Sequence, residues 1–188
     1  MPSKALETFL EPVLVDAREI IAGHSKLSTG LRGRQWGLGG LNRSVVVMCA
    51  AAWESYVEEV VREAADALRP VSPPIGTWPA LAASIRGNAR RLNTPNSQNV
   101  RRLIAESFGL SDVTTAWSWR NCPPGSAAKY LDAFLNIRHQ VAHGANPRPT
   151  VHNKYASWLP GFVERLASRT DRALVEFFAA ALGTSLRW

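Results

Sequence analysis

The stretch NRSVVVMCAAAWESYVEEVVREAADAL, from Asn42 to about Leu68, constrains the fold of this chain more than any other segment. It is the strongest helical run in the sequence, and Asn42 or Ser44 suits its N-cap. Its first half is apolar nearly all round, which requires burial on more than one side. Its second half gains a charged face through Glu58, Glu59, Arg62 and Glu63. Other elements must therefore surround its beginning and leave part of its end in water.

The rest of the chain supplies helices to do this. Leu6, Phe9, Leu10, Val13, Leu14, Ala17, Ile20 and Ile21 recur at three- and four-residue spacing, predicting a first amphipathic helix that ends near Gly23 and kinks at Pro12. Residues 24 to 40, HSKLSTGLRGRQWGLGG, read as a flexible basic loop around Arg32 and Arg34. No strand precedes that loop and no GK[ST] follows it, so it is neither a Walker loop nor a dinucleotide fingerprint. Arg69 to Pro79 is a proline-rich loop. Shorter helices follow over Ala80 to Leu92 and Gln98 to Phe108. Their Arg86, Arg90, Arg91, Arg101 and Arg102 either sit in solvent or form a polyanion-binding face. Leu110 to Gly125 reads as irregular structure packed onto the helices. A helix is expected from Ser126 to His143, closed by Gly144, and a last one from near Val151 or Pro160 to Leu182. No segment alternates as a strand does, so the fold class is an all-α bundle, expected as one domain over 1–188.

Composition narrows the function classes. The net charge of +7, carried mostly by arginine, favours polyanions such as RNA or DNA as partners. The longest uncharged apolar run, Val45 to Trp53, falls short of the roughly 18 residues that suggest a membrane span. The opening MPSKALETFLEPVLVDARE carries Glu7, Glu11 and Asp16 among its apolar residues and lacks the apolar core of a signal peptide. A cytoplasmic protein with no membrane contact is the expectation. Cys49 and Cys122 stand far apart and imply free thiols rather than a disulfide framework or a zinc site.

The unusual segment is LNIRHQVAHG, Leu135 to Gly144. At about 100° per residue, Arg138, His139 and His143 share one broad side of a helix, and Leu131 and Leu135 fall on that side too. Tyr130, Phe134, Ile137 and Val141 form a separate compact stripe, expected to face the core. Exposed leucines beside an arginine gain little in a monomer, and pairing with a second copy through the 126–144 helix resolves the conflict. The chemistry suits RNA. A guanidinium grips phosphate bidentately, and a histidine takes a proton from a ribose 2′-hydroxyl or gives one to the leaving oxygen. No metal or cofactor is required, and DNA lacks the nucleophile.

RHQVAH, Arg138 to His143, resembles the Arg-x4-6-His signature of HEPN domains, helical nuclease and nucleotide-binding domains of prokaryotic defence and toxin systems. LNRSVVVMCAAAWESYVEEVV, Leu41 to Val61, looks like the long second helix of RiboL-PSP-type HEPN proteins, and NIRHQVAHG like their catalytic segment. The likeness is anchored from about residue 40 to 145. It implies a bundle of four or five main helices with long loops, dimerisation through the motif helices, and a composite endoribonuclease site. Arg138 would engage the scissile phosphate, His143 would act as acid or base, and His139 would occupy the polar position after the arginine. Glu54, on the facing long helix, is a candidate to orient Arg138 or His143. A toxic nuclease of this kind also implies an antitoxin or a defence-system partner.

Three other readings compete. Arg138 and His143 also suit the negative end of a helix dipole. His139 and His143 at i, i+4 could ligate zinc, although a HExxH glutamate and an obvious third ligand are missing, His24 and His152 being candidates only by default. A non-catalytic helical dimer that binds RNA or a protein is the alternative from another class. No serine or cysteine sits in a recognisable nucleophile elbow or dyad.

Overall fold

The structure is a computed structural model describing residues 2–29, 37–69, 76–146 and 149–183. Among the described residues there are six α-helices and no strand, only an isolated bridge between Trp119 and Cys122. A π-helical turn, Ala5–Leu10, leads into α1, Glu11–Leu27, and α2, Leu38–Ala67, follows. Next come α3, Trp78–Arg90, α4, Ser97–Phe108, and a 3-10 turn, Val113–Ala116. The last two are α5, Ser126–Ala142, and α6, Asn153–Leu182. Of the basic loop expected over 24 to 40, residues 24–27 and 38–40 are helical, while Arg32 and Arg34 lie outside the described residues, as do residues 70–75 of the proline-rich loop expected before α3.

As its composition demands, α2 is the hub of the bundle: the π turn, α1, α3, α4, α5 and α6 all touch it. Val45, Val46, Cys49, Ala52, Trp53, Tyr56, Val57, Val60 and Val61 are buried along it. They meet Leu10 and Leu14 from the first helical stretch, Leu131 and Phe134 of α5, and Leu159, Val163 and Leu166 of α6 in one contiguous core. Each such side chain contributes about 1.5–3 kcal/mol by leaving water. Trp53 stacks on Tyr56 at 5.5 Å and meets the edge of Trp117 at 6.0 Å.

Buried polar atoms of these aromatic residues all have partners, as a dry core requires. Trp53 Nε1 donates to the Pro95 carbonyl at 2.8 Å, and Trp117 Nε1 donates to Thr170 Oγ1 at 2.9 Å. The Tyr56 hydroxyl lies 2.6 Å from Asp171 Oδ1, and the Ser3 amide and hydroxyl donate to the same carboxylate at 2.8 and 2.9 Å. This cluster joins the start of the chain, α2 and α6.

Helix boundaries differ from the expectation at the first helix and at the start of α2. The first helix continues through Gly23 to Leu27, and Pro12 lies in the first turn of α1, where the π turn gives way to regular helix and a missing N–H costs least. Neither Asn42 nor Ser44 caps α2, which begins at Leu38. Asn42 is buried and donates Nδ2 to the Val151 carbonyl at 2.9 Å, while the Ser44 hydroxyl bonds back to Gly40. The last helix begins at Asn153, near Val151, the earlier of its two expected starts, and Pro160 lies inside it. Anchoring of Val151 by Asn42 fixes the chain's entry ahead of the proline.

Candidate active site

Helix α5 delivers the motif. It ends at Ala142, and His143 follows as C-cap, its amide donating to the His139 carbonyl at 3.0 Å. Gly144 takes a left-handed φ of 67°, which lets the Ala145 amide close onto the Gln140 carbonyl at 3.0 Å. This 6→1 bond is the Schellman closure, and it sets where His143 leaves the helix.

Arg138 is half-buried and points to α2, where its Nη2 lies 3.6 Å from Glu54 Oε2. A pair this exposed contributes about 0–1 kcal/mol, so it orients more than it stabilises. Burial pushes the Glu54 carboxyl above its usual range, Arg138 pulls it back, and nearby Glu58 raises it further. The imidazoles of His139 and His143 are both exposed, with ring centroids 4.2 Å apart. Among the described residues neither ring has a hydrogen bond or an ion pair, so both can serve a ligand.

A cleft of about 20 Å³, room for roughly one water, opens between these groups. Ala50 and Leu135 line it together with Glu54, Arg138, His139 and the turn at Asn93, Thr94 and Pro95. Sequence reasoning missed this turn. It is held beside Arg138 because Trp53, next to Glu54 on α2, donates to Pro95. Asn96 caps α4 by accepting from the Asn99 amide, and Asn99 Nδ2 donates to the Thr94 carbonyl. The Ser97 amide and hydroxyl donate to Asp132 of α5 at 2.8 and 2.7 Å, locking the turn to the motif helix. The run NTPNS carried a turn-and-cap signal, but nothing local showed which helix it would meet.

On the other side of Glu54 the surface is acidic. Phe9, Ala51 and Ser55 share a shallow groove with Glu54, Glu58 and Glu59, the last two paired with Arg62. That groove disfavours anions.

The apolar face of α5 is turned by roughly 80° from the expected stripe. Ala127, Leu131, Phe134 and Leu135 are buried, whereas Tyr130 is 48% exposed and Ile137 and Val141 are half-buried. Contacts with α2 and the Asp132 bond fix this rotation, and Tyr130 rests edge-on against Trp158 at 5.8 Å. Leu131 and Leu135 therefore belong to the protomer's own core. The argument for pairing from exposed leucines does not hold.

Among the described residues no three histidine, cysteine, aspartate or glutamate side chains are grouped to hold a metal ion. His24 is buried at the end of α1 and His152 is the N-cap of α6. Cys49 and Cys122 are buried free thiols, and burial pushes Cys49 up to about 12. Of the arginines proposed for a polyanion face, Arg86 pairs with Asp66 and Arg101 with Asp112 at 3.5 Å. No helix among the described residues is long and apolar enough to cross a membrane.

The fold is an all-helical bundle around one long central helix, with an arginine and two histidines at the end of α5. The RiboL-PSP-HEPN family model matches residues 14–176, and the chain belongs to that family. Membership connects it with ribonuclease or nucleotide-related roles. No curated protein and no solved structure matches it.

Proposed function

We propose that the chain is a metal-independent endoribonuclease whose active centre is Arg138, His139 and His143. The observation that carries this reading is the grouping of a half-buried guanidinium with two unengaged imidazoles in ring contact at one exposed helix end. Arg138 binds the non-bridging oxygens of the scissile phosphate and offsets the charge that builds there. One imidazole removes the 2′-hydroxyl proton as the 2′-oxygen attacks phosphorus. The P–O5′ bond breaks, and a second imidazole donates the proton that the leaving 5′-oxygen needs. Products are a 2′,3′-cyclic phosphate and a 5′-hydroxyl. His143 is assigned to acid or base duty, with His139 beside it. Glu54 is a positioning residue that holds the guanidinium toward the cleft.

The working unit we propose is a homodimer in which the 126–144 helices meet and the two motifs share one composite site. Family membership and the exposure of both histidines support this, in place of the leucine argument. An antitoxin or defence-system partner would restrain such an enzyme in the cytoplasm.

The test is digestion of single-stranded RNA beside an oligonucleotide of the same sequence with 2′-deoxy sugars throughout. The expected result is cleavage of RNA alone with cyclic-phosphate ends. Cutting of the deoxy strand, or 3′-hydroxyl ends, overturns the mechanism. A stable monomer by light scattering at micromolar concentration removes the composite site.

The Glu54 contact favours a second reading, a non-catalytic RNA-binding dimer, because a guanidinium that stays on Glu54 stabilises no transition state. RNA binding without cyclic-phosphate product is its signature.

A further inference from the structure

A broad open groove of about 570 Å³ lies between α6 and the turn at Trp119–Cys122, away from the Arg138 cleft. Arg165, Arg169 and Arg172 line it from α6, and Trp119 and Arg120 from the turn. The three α6 arginines stand at i, i+4 and i+7, on one helix face. Reciprocal backbone bonds between Trp119 and Cys122, at 3.0 and 2.8 Å, hold Arg120 opposite them.

The charge in this groove is largely uncompensated. Arg172 pairs with Glu176 at 2.7 Å, but among the described residues Arg120, Arg165 and Arg169 have no ion pair. Neighbouring carboxylates on α6 are committed elsewhere: Glu164 to Arg18, and Asp171, buried, to Ser3 and Tyr56. Gathering like charges without partners gains the folded chain nothing, so an anionic ligand is what the arrangement suits.

Beside the arginines lies an aromatic cluster whose middle ring, Phe162, is buried and whose outer rings reach the surface. Trp119 lies 6.0 Å from Phe162, which stacks on Trp158 at 4.5 Å and meets Tyr130 at 6.4 Å. Trp158 and Tyr130 remain 40% and 48% exposed. A cationic groove edged by open aromatic rings is the chemistry that holds single-stranded nucleic acid, phosphates on guanidinium forks and bases on ring faces. An acidic peptide would use the arginines but not the rings.

We infer that this groove is a second, non-catalytic seat for single-stranded RNA. Its turn leads directly into α5, and Arg138 lies twelve residues beyond Ser126, about 18 Å further along the helix axis. The groove therefore holds the strand at a distance from the reacting phosphate. The inference rests on RNA as the substrate class but not on cleavage.

The experiment is fluorescence anisotropy with a short labelled oligouridylate, in a His143→Ala background to keep the probe intact. The groove variant is Arg165→Glu with Arg169→Glu, and the control is Lys4→Glu with Lys26→Glu, both exposed at the first helical stretch. Circular dichroism checks folding, and Arg165→Gln with Arg169→Gln replaces the groove variant if that one unfolds. Expected is a loss of affinity on the order of tenfold or more in the groove variant, with the salt dependence lowered by about 1.4, two phosphate contacts at roughly 0.7 each. The control pair should change affinity far less. Equal losses in both pairs, unchanged affinity in the groove variant, or competition by polyglutamate as effective as by unlabelled RNA overturns the inference. Groove-dependent binding by a protein that does not cleave defeats the nuclease reading and leaves the groove standing. Cleavage by a protein whose affinity ignores the groove defeats the groove alone.

Discussion

Replacing Tyr56 with phenylalanine removes a single oxygen from a buried polar cluster. The ring keeps its stacking on Trp53, so packing changes little and the cost is confined to the hydroxyl. That hydroxyl lies 2.6 Å from Asp171 Oδ1 and 2.8 Å from the Ala167 carbonyl. A hydrogen bond to a charged group contributes about 1.5–3 kcal/mol. The Ser3 hydroxyl still donates to the same oxygen, which favours the lower half of that range. For a chain of this size the loss corresponds to a Tm drop of about 3–9 °C.

The pH dependence gives a sharper check. Burial raises the Asp171 carboxyl above its usual range, and the bonds from Tyr56 and Ser3 oppose that rise. A carboxyl whose folded pKa is raised lends stability as pH falls from the folded pKa toward the unfolded one, because the native state takes up the proton first. Without the Tyr56 hydroxyl the folded pKa climbs further. The deficit of the variant is therefore largest at neutral pH and narrows on acidification. Urea unfolding of both proteins at neutral and mildly acidic pH measures this. A deficit under 0.5 kcal/mol (about a third of the smallest expected loss), or one that does not shrink with acid, refutes the reasoning.

Further outcomes follow from the site. Gly144→Ala meets no steric obstacle but forces a side chain into a left-handed φ, so it should cost about 1–2 kcal/mol in urea unfolding and reduce RNA cleavage by displacing His143. Glu54→Gln should leave stability within about 1 kcal/mol. It should also remove the small gain that the raised Glu54 carboxyl gives as pH falls toward its ordinary value. Its kcat should fall on the order of tenfold or more while RNA affinity holds, since the guanidinium loses its guide and not its charge. Unchanged kcat removes Glu54 from the positioning role.

Much of the architecture was legible because it rests on local periodicity. All six helices, the irregular segment around Trp117 and Trp119, and the closing glycine of α5 follow from spacing and turn chemistry. What escaped was set by distant partners. Asn42 reads as a cap, yet its carboxamide serves the Val151 carbonyl more than a hundred residues away. The face of α5 was misread because tyrosine counts as apolar in a wheel, while its amphipathic ring sits at the bundle's rim against Trp158. Arg138, His139, His143 and Glu54 could be named from the sequence as candidates, and the structure puts Glu54 against Arg138 and the two imidazoles together. The Asn93–Pro95 turn could not, because only the Trp53 and Asp132 contacts bring it to them.

The measurement that tests the central claim most directly is cleavage of generic single-stranded RNA in EDTA by the wild type, Arg138→Ala and His143→Ala, with the product ends assigned. Cyclic-phosphate product from the wild type, lost in both variants while each remains folded, is the predicted result. A folded wild type that leaves the RNA intact, or variants that cut as well as it does, would contradict the account.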